Sequence, residues 1–304
     1  MNRDHRASDP GQRSTPFLFA AVIFVSAFLL FLIQPLIAKY LLPWFGGSQA
    51  VWTTCLLFFQ VFLLLGYAYA HLLSKWLTLR WQDIVHLVLL FSSFFLLPIT
   101  PSESAKPILR DDPTWQVLGL LTTSVGFPYF LLSSTGPLLQ KWYTYLHPQS
   151  SPYRLYALSN AGSLLALVIY PVVIEPTFSR YWQATGWSWG IVLFVAGCSY
   201  CAILALKSRT ASTSTAKPVV SASAYVPHFR TRMFWLVLPA TASVLLLAVT
   251  NKLCQEIAVV PFLWVLPLAV YLVSFIICFD RPGWYSRPWF GAALKRDCRR
   301  VRRP

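Results

Sequence analysis

The sequence is short of charged residues. They make up 12% of the 304 residues, of which only 10 are Asp or Glu, while 56% of the chain is hydrophobic. A soluble domain carries about 25% charged residues. So few charges cannot cover a surface that faces water, which excludes an ordinary globular enzyme, a disordered tail and a disulfide-rich secreted module. A polytopic membrane protein remains.

The familiar motifs of catalysis and nucleotide binding are also missing. The 13 glycines include one adjacent pair, Gly46-Gly47, and no G-x-G-x-x-G or G-x-x-x-x-G-K-[ST] loop that would hold phosphates. The chain has no G-x-S-x-G nucleophile elbow and no H-E-x-x-H zinc motif. We therefore predict no catalytic residues, cofactor or metal site in this chain.

Long apolar runs take the place of those motifs. A helix needs about 20 predominantly apolar residues to cross a bilayer. Eight segments meet or approach this length: Pro16–Ala38, Val51–Leu73, Gln82–Pro98, Trp115–Leu139, Leu155–Ile174, Tyr181–Leu206, Met233–Val249 and Ile257–Phe279. The first has no small-residue cleavage site after it, so it is expected to remain as an anchor. The predicted fold is an all-α transmembrane bundle of about eight spans.

Lysine and arginine are distributed unevenly between the two sides of these spans. With the N-terminus in the cytoplasm, twenty of them fall on the cytoplasmic side and five on the other. Cytoplasmic loops collect such residues, which favours this orientation and places both termini inside. The same pattern accounts for most of the net charge of +15, so nucleic-acid binding is not expected. The predicted location is the bacterial inner membrane.

This interpretation divides the chain into five segments. They are a cytoplasmic tail (1–15), a six-helix bundle (16–206), a cytoplasmic linker rich in Ser, Thr and Ala (207–232), two further helices (233–279) and a basic cytoplasmic tail (280–304). Cys198 and Cys201 lie three apart and share a helix face, but the sixth span supplies no further thiolate or imidazole for a metal. Helix packing is the favoured interpretation of these thiols.

Polar residues within or next to the spans are the candidate functional residues, because such residues are rare in membranes and often mark pathways. Gln34 precedes Pro35 and could bond the carbonyl that proline frees, or line a pathway. Asn160 lies among small residues and is expected to hydrogen-bond to a neighbouring helix. Lys252 and Glu256 have the i,i+4 spacing of a local ion pair, and both this structural interpretation and a functional one stay open. The full set is Gln34, Lys39, Gln60, Asn160, Glu175, Lys252 and Glu256. Asp83 and His86 stand near the cytoplasmic start of the third span.

Three stretches, covering residues 31–60, 153–176 and 240–282, resemble the membrane part of bacterial proteins described as fused major-facilitator/spermidine-synthase-like. They read FLIQPLIAKYLLPWFGGSQAVWTTCLLFFQ, YRLYALSNAGSLLALVIYPVVIEP and ATASVLLLAVTNKLCQEIAVVPFLWVLPLAVYLVSFIICFDRP. In that family a multi-helix region precedes a soluble aminopropyltransferase-type domain.

The resemblance implies a membrane region of this kind. Only 24 residues follow Asp280, and they contain no glycine-rich loop, so we expect a shortened or frame-shifted member without the catalytic half. Helices seven and eight would then begin the second half of a partial major-facilitator-like arrangement. Two alternatives are a transporter-like module for a small polar or cationic solute, and a scaffold that docks a separate soluble synthase-type enzyme through its basic tail. The lipid bilayer is the expected partner in every case.

Overall fold

The computed structural model describes residues 10–46, 48–101, 112–147, 152–212, 228–256 and 265–280, with isolated positions at 284 and 288. Throughout these residues the regular structure is helical, without strands. The all-α prediction is confirmed.

Ten α-helices run through the described residues. They are α1 (Pro10–Phe45), α2 (Gln49–Trp76), α3 (Leu79–Ser92), α4 (Pro113–Leu121), α5 (Phe127–Leu146), α6 (Tyr153–Ile169), α7 (Glu175–Thr177), α8 (Arg180–Ser212), α9 (Phe229–Glu256) and α10 (Val265–Asp280). A short 3₁₀ segment, Ser93–Leu96, ends α3. Two π-helical turns, Thr122–Gly126 and Tyr170–Ile174, join α4 to α5 and α6 to α7.

Seven helical segments are long and apolar enough to cross a membrane, so the chain is a multi-pass membrane protein. The eighth predicted span corresponds to α10, a shorter apolar helix of 16 residues that begins at Val265. The preceding residues, 257–264, lie outside the described part.

The helix ends differ from the predicted boundaries at several places. Helix α1 continues past Ala38 to Phe45, so Lys39 is helical instead of lying in a loop. Helix α8 runs on to Ser212 and α9 begins at Phe229, so helices occupy both edges of the predicted 207–232 linker. Residues 213–227 are outside the described part, as is most of the predicted tail after Asp280.

Helix α1 is the centre of the bundle, packing against α5, α6 and α8. Glycines allow its neighbours to approach closely. A Cβ at Gly162 of α6 would lie 2.6 Å from the Phe24 carbonyl oxygen, and one at Gly190 of α8 would lie 2.6 Å from Leu29 Cδ2. The Trp187 Nε1–H donates to the Leu29 carbonyl at 3.0 Å. Small residues thus let the helix backbones come together, as is usual in membranes.

The outer surface of the bundle is apolar. Large side chains such as Leu64, Trp189 and Leu193 are each about two-thirds exposed or more. Helix α9 is the extreme case, because only 6% of its most apolar 18-residue segment is buried inside the molecule. A contiguous apolar exterior of this extent would be a liability in water, whereas lipid solvates it.

Candidate functional site

Two groups of polar side chains lie at opposite ends of the bundle. The first, here called the outer cluster, consists of Lys39 and Tyr40 on α1, Glu175 on α7 and Arg180 on α8. Lys39 Nζ lies 3.7 Å from Glu175 Oε1, and both side chains are about 30% exposed. The Tyr40 hydroxyl donates to the Arg180 carbonyl at 3.2 Å, and the Arg180 guanidinium carbon lies 5.4 Å from the Tyr40 ring centroid.

A buried hydrogen-bonded group supports the outer cluster. The Tyr170 hydroxyl donates to Gln183 Oε1 at 3.1 Å, and Gln183 Nε2 donates to the Phe178 carbonyl at 2.8 Å. Tyr170 is fully buried and Gln183 is 6% exposed. These bonds tie the π-helical turn after α6 to the start of α8, and so hold Glu175 opposite Lys39.

Gln34 is separate from this cluster and lies in the core. Its side chain hydrogen-bonds to the Tyr129 hydroxyl of α5, so a tyrosine is its partner. Gln34 also lines a cavity of about 20 Å³ with Cys55 and Phe59. That volume has room for about one water molecule.

Three of the other candidates lie apart from the outer cluster. Gln60 is exposed on α2. Asn160 is half-buried, and its Nδ2 donates to the Tyr156 carbonyl of its own helix at 2.8 Å. Lys252 is exposed near the end of α9. Glu256 is the last residue of that helix, and its side chain is outside the described part, so the Lys252–Glu256 ion pair stays a prediction.

The second group, here called the buried polar cluster, lies at the other end of the bundle around Asp83 and His86 of α3. Both side chains are 0% exposed. His86 Nε2 lies 3.0 Å from Thr135 Oγ1 of α5. The rings of Tyr69 and Trp142 pack beside the imidazole, with centroids 6.1 Å and 6.3 Å away.

Several atoms of this cluster are buried without a hydrogen-bond partner among the described residues. They are both carboxyl oxygens of Asp83, Nδ1 of His86, Oε1 of Gln82, the Tyr69 hydroxyl and Nε1 of Trp142. Buried polar atoms are rarely left unpaired, because the loss of hydration is costly. Ionisable groups buried in a membrane segment mark functional sites by default, and Asp83 and His86 are both buried within a candidate span.

The cysteines contribute one neighbour to the buried polar cluster. Cys198 and Cys201 are both free and fully buried on α8, and Cys198 lies close enough to Asp83 to interact electrostatically. In the described part of the chain, no three His, Cys, Asp or Glu side chains converge as a metal site would require.

Sequence reasoning placed Asp83 and His86 near a span end but did not select them. Their i,i+3 spacing does put both on one helix face, and that was the available signal. Thr135 gave no such sequence signal, because the hydroxyl of a threonine within an apolar run usually hydrogen-bonds to a carbonyl of its own helix. Comparisons with family models, with curated proteins and with solved structures found no match.

Proposed function

We propose that this chain is the membrane region of a spermidine-synthase-like protein in the bacterial inner membrane. One observation carries the proposal: the second of the three stretches that bear the resemblance, which forms α6 and α7, packs against both of the others. Lys39 of the first stretch faces Glu175 of the second at 3.7 Å. The ring of Phe279 in the third stretch lies 5.0 Å from that of Tyr156 in the second. Segments far apart in sequence therefore contribute to one packed unit.

Under this proposal the bundle anchors a synthase-type enzyme and performs no chemistry itself. A photo-crosslinking residue placed in the basic tail would test it in intact membranes. We expect the captured partner to be an aminopropyltransferase-type protein, and its capture to be lost when the Lys and Arg residues of the tail are replaced by Gln with the crosslinker left in place. The same crosslinker placed at exposed Trp189, within the apolar surface, is the matched control. A partner of any other type, or equal capture at both positions, would overturn the proposal.

The proposed orientation places both termini in the cytoplasm, supported by the excess of Lys and Arg on that side. Fusions test it directly. Green fluorescent protein joined after Lys207 should fluoresce, and alkaline phosphatase joined after Thr100 should be active. Exchanging the two reporters provides the control, since both signals should then be lost. The opposite pattern would reverse the assignment.

A transporter-like module for a small polar or cationic solute is the second candidate. The observation that favours it is the interruption of two spans by π-helical turns, at Thr122–Gly126 and Tyr170–Ile174. Such turns often occur at functional sites, and interrupted helices commonly form the binding sites of transporters. The second interruption lies directly before Glu175 and hence beside the outer cluster.

Uptake of labelled spermidine into proteoliposomes tests the transporter candidate. Uptake should fall severalfold in Glu175→Gln, because the substitution removes the charge that faces Lys39. Asp112→Asn is the control, since Asp112 is an exposed helix cap far along the chain. Accumulation equal to that of protein-free liposomes would reject this function for spermidine.

A further inference from the structure

The Asp83 carboxyl group is enclosed by the protein without a donor to support a negative charge. Its side chain is fully buried, and neither oxygen accepts a hydrogen bond among the described residues. An isolated carboxylate loses its hydration on burial and therefore favours its neutral form. Asp83 lies little more than one turn inside α3, which begins at Leu79.

The hydrogen bonds of Thr135 favour one tautomer of neutral His86. The Thr135 hydroxyl donates its single hydrogen to the Leu131 carbonyl at 2.7 Å. When that bond is made, the hydroxyl accepts from His86 Nε2, which lies 3.0 Å away, and Nε2 carries the hydrogen. In the neutral imidazole this leaves Nδ1 as a bare acceptor, and Nδ1 is buried without a partner.

Asp83 and His86 are thus two buried acceptors on one helix face, with no hydrogen bond between them. Beside a neutral imidazole, an ionised Asp83 would leave the cluster with a charge of −1, whereas a protonated Asp83 leaves it neutral. The titratable groups facing the pair are Tyr69 of α2 and Cys198 of α8, both uncharged in their ordinary forms. Thr135 and Trp142 of α5 face it without titrating.

Two cations lie on the helices around the pair. Lys141 Nζ of α5 donates to the Ser74 carbonyl at 3.0 Å, and Arg80, three residues before Asp83 on α3, has an exposed side chain. Among the described residues neither forms an ion pair with Asp83.

We propose that Asp83 and His86 form a membrane-embedded proton-binding site that holds one proton at neutral pH, resting on Asp83. The carboxyl group is the resting position because a neutral acid and a neutral imidazole need less support in this dry environment than an ion pair would. The inference rests on neither proposed function, since an anchor and a transporter could both contain such a site.

Infrared spectroscopy of the full chain in lipid nanodiscs tests the site. At neutral pH we expect the carbonyl absorption of a protonated carboxyl group, shifted by ¹³C-aspartate labelling and by deuterium exchange. The absorption should be lost in Asp83→Asn and retained in the matched control Asp112→Asn, whose carboxylate is exposed. His86→Gln should shift it, because the acceptor beside Asp83 changes.

The labelling experiment uses the unmodified protein, so it decides the question even if Asp83→Asn fails to fold. Absence of an aspartic-acid absorption at neutral pH would overturn the proposal. Its survival in a folded Asp83→Asn variant would do the same. Neither result bears on crosslinking at the basic tail or on spermidine uptake, so the proposals can fail independently.

Discussion

Replacing Gly162 with alanine should separate the two most extensively packed helices of the bundle. The new Cβ would lie 2.6 Å from the carbonyl oxygen of Phe24 and 3.3 Å from its Cδ2. Carbon–oxygen contacts between helices are normally about 3.3–3.6 Å. The oxygen belongs to the α1 backbone and cannot rotate away, so the helices must move apart by roughly 0.7–1 Å.

The expected cost combines two opposing effects. Overpacking a well-filled interface costs about 1–3 kcal/mol. Alanine is a better helix former than glycine by about 1 kcal/mol, which offsets part of this. We therefore expect Gly162→Ala to lower the free energy of unfolding by up to about 2 kcal/mol.

Gly186→Ala is the matched control. Gly186 is also inside a helix, but no heavy atom lies within 4 Å of the added Cβ. Only the helix propensity changes, so the stability should stay equal or rise by up to about 1 kcal/mol. Titration of detergent-solubilised protein with dodecyl sulfate, followed by the fluorescence of the 13 tryptophans, measures both variants. A Gly162→Ala protein as stable as the Gly186→Ala protein would refute the close α1–α6 contact.

Three further predictions concern single interactions. Trp187→Phe removes a buried hydrogen bond to α1 and should cost about 1 kcal/mol in the same unfolding assay; an unchanged stability would contradict the bond. A double-mutant cycle of Lys39→Met with Glu175→Gln should give a coupling below about 1 kcal/mol, decreasing with salt, because both side chains are partly exposed. The Thr114 backbone N–H, donating to the Asp112 carboxylate, lowers the pKa of that group from 3.8. Its stabilisation is therefore complete well above pH 3.8 and is lost as the pH falls through the lowered value. Thermal unfolding should then separate the wild type from Asp112→Ala at pH 7 more than at pH 3, and an equal gap would refute the cap.

The sequence was sufficient to predict the helices but not to predict where they end. Within the described residues, each long apolar run is largely helical, because backbone groups in lipid must bond within their own segment. The end of α1 was less predictable, since a helix with Pro35 and Pro43 inside it continues to Phe45. Its packing against three other helices stabilises it beyond what local propensity suggests.

The candidate sites depended on contacts between distant parts of the chain. Lys39 and Glu175 could each be selected from the sequence, but their pairing across 136 positions required the fold. The partner of His86 is 49 positions away, and neither its residue type nor its spacing predicts the contact. A helix face can be read from periodicity, whereas the residue that it meets cannot.

The contrast between two kinds of polar side chain argues that the buried polar cluster is more than a packing accident. Hydroxyl groups elsewhere in the spans are satisfied within their own helix. Ser188 and Ser199 each donate to the carbonyl four residues earlier, at 2.8 and 2.7 Å. Asp83 and His86 have no such bond within their helix, and an apolar residue at either position would avoid the cost of burying an ionisable group. At position 83 a purely structural role would be served equally well by leucine, whereas His86 also contacts Thr135 of α5 at 3.0 Å. Asp83 is therefore better explained by the proton that its carboxyl group can hold.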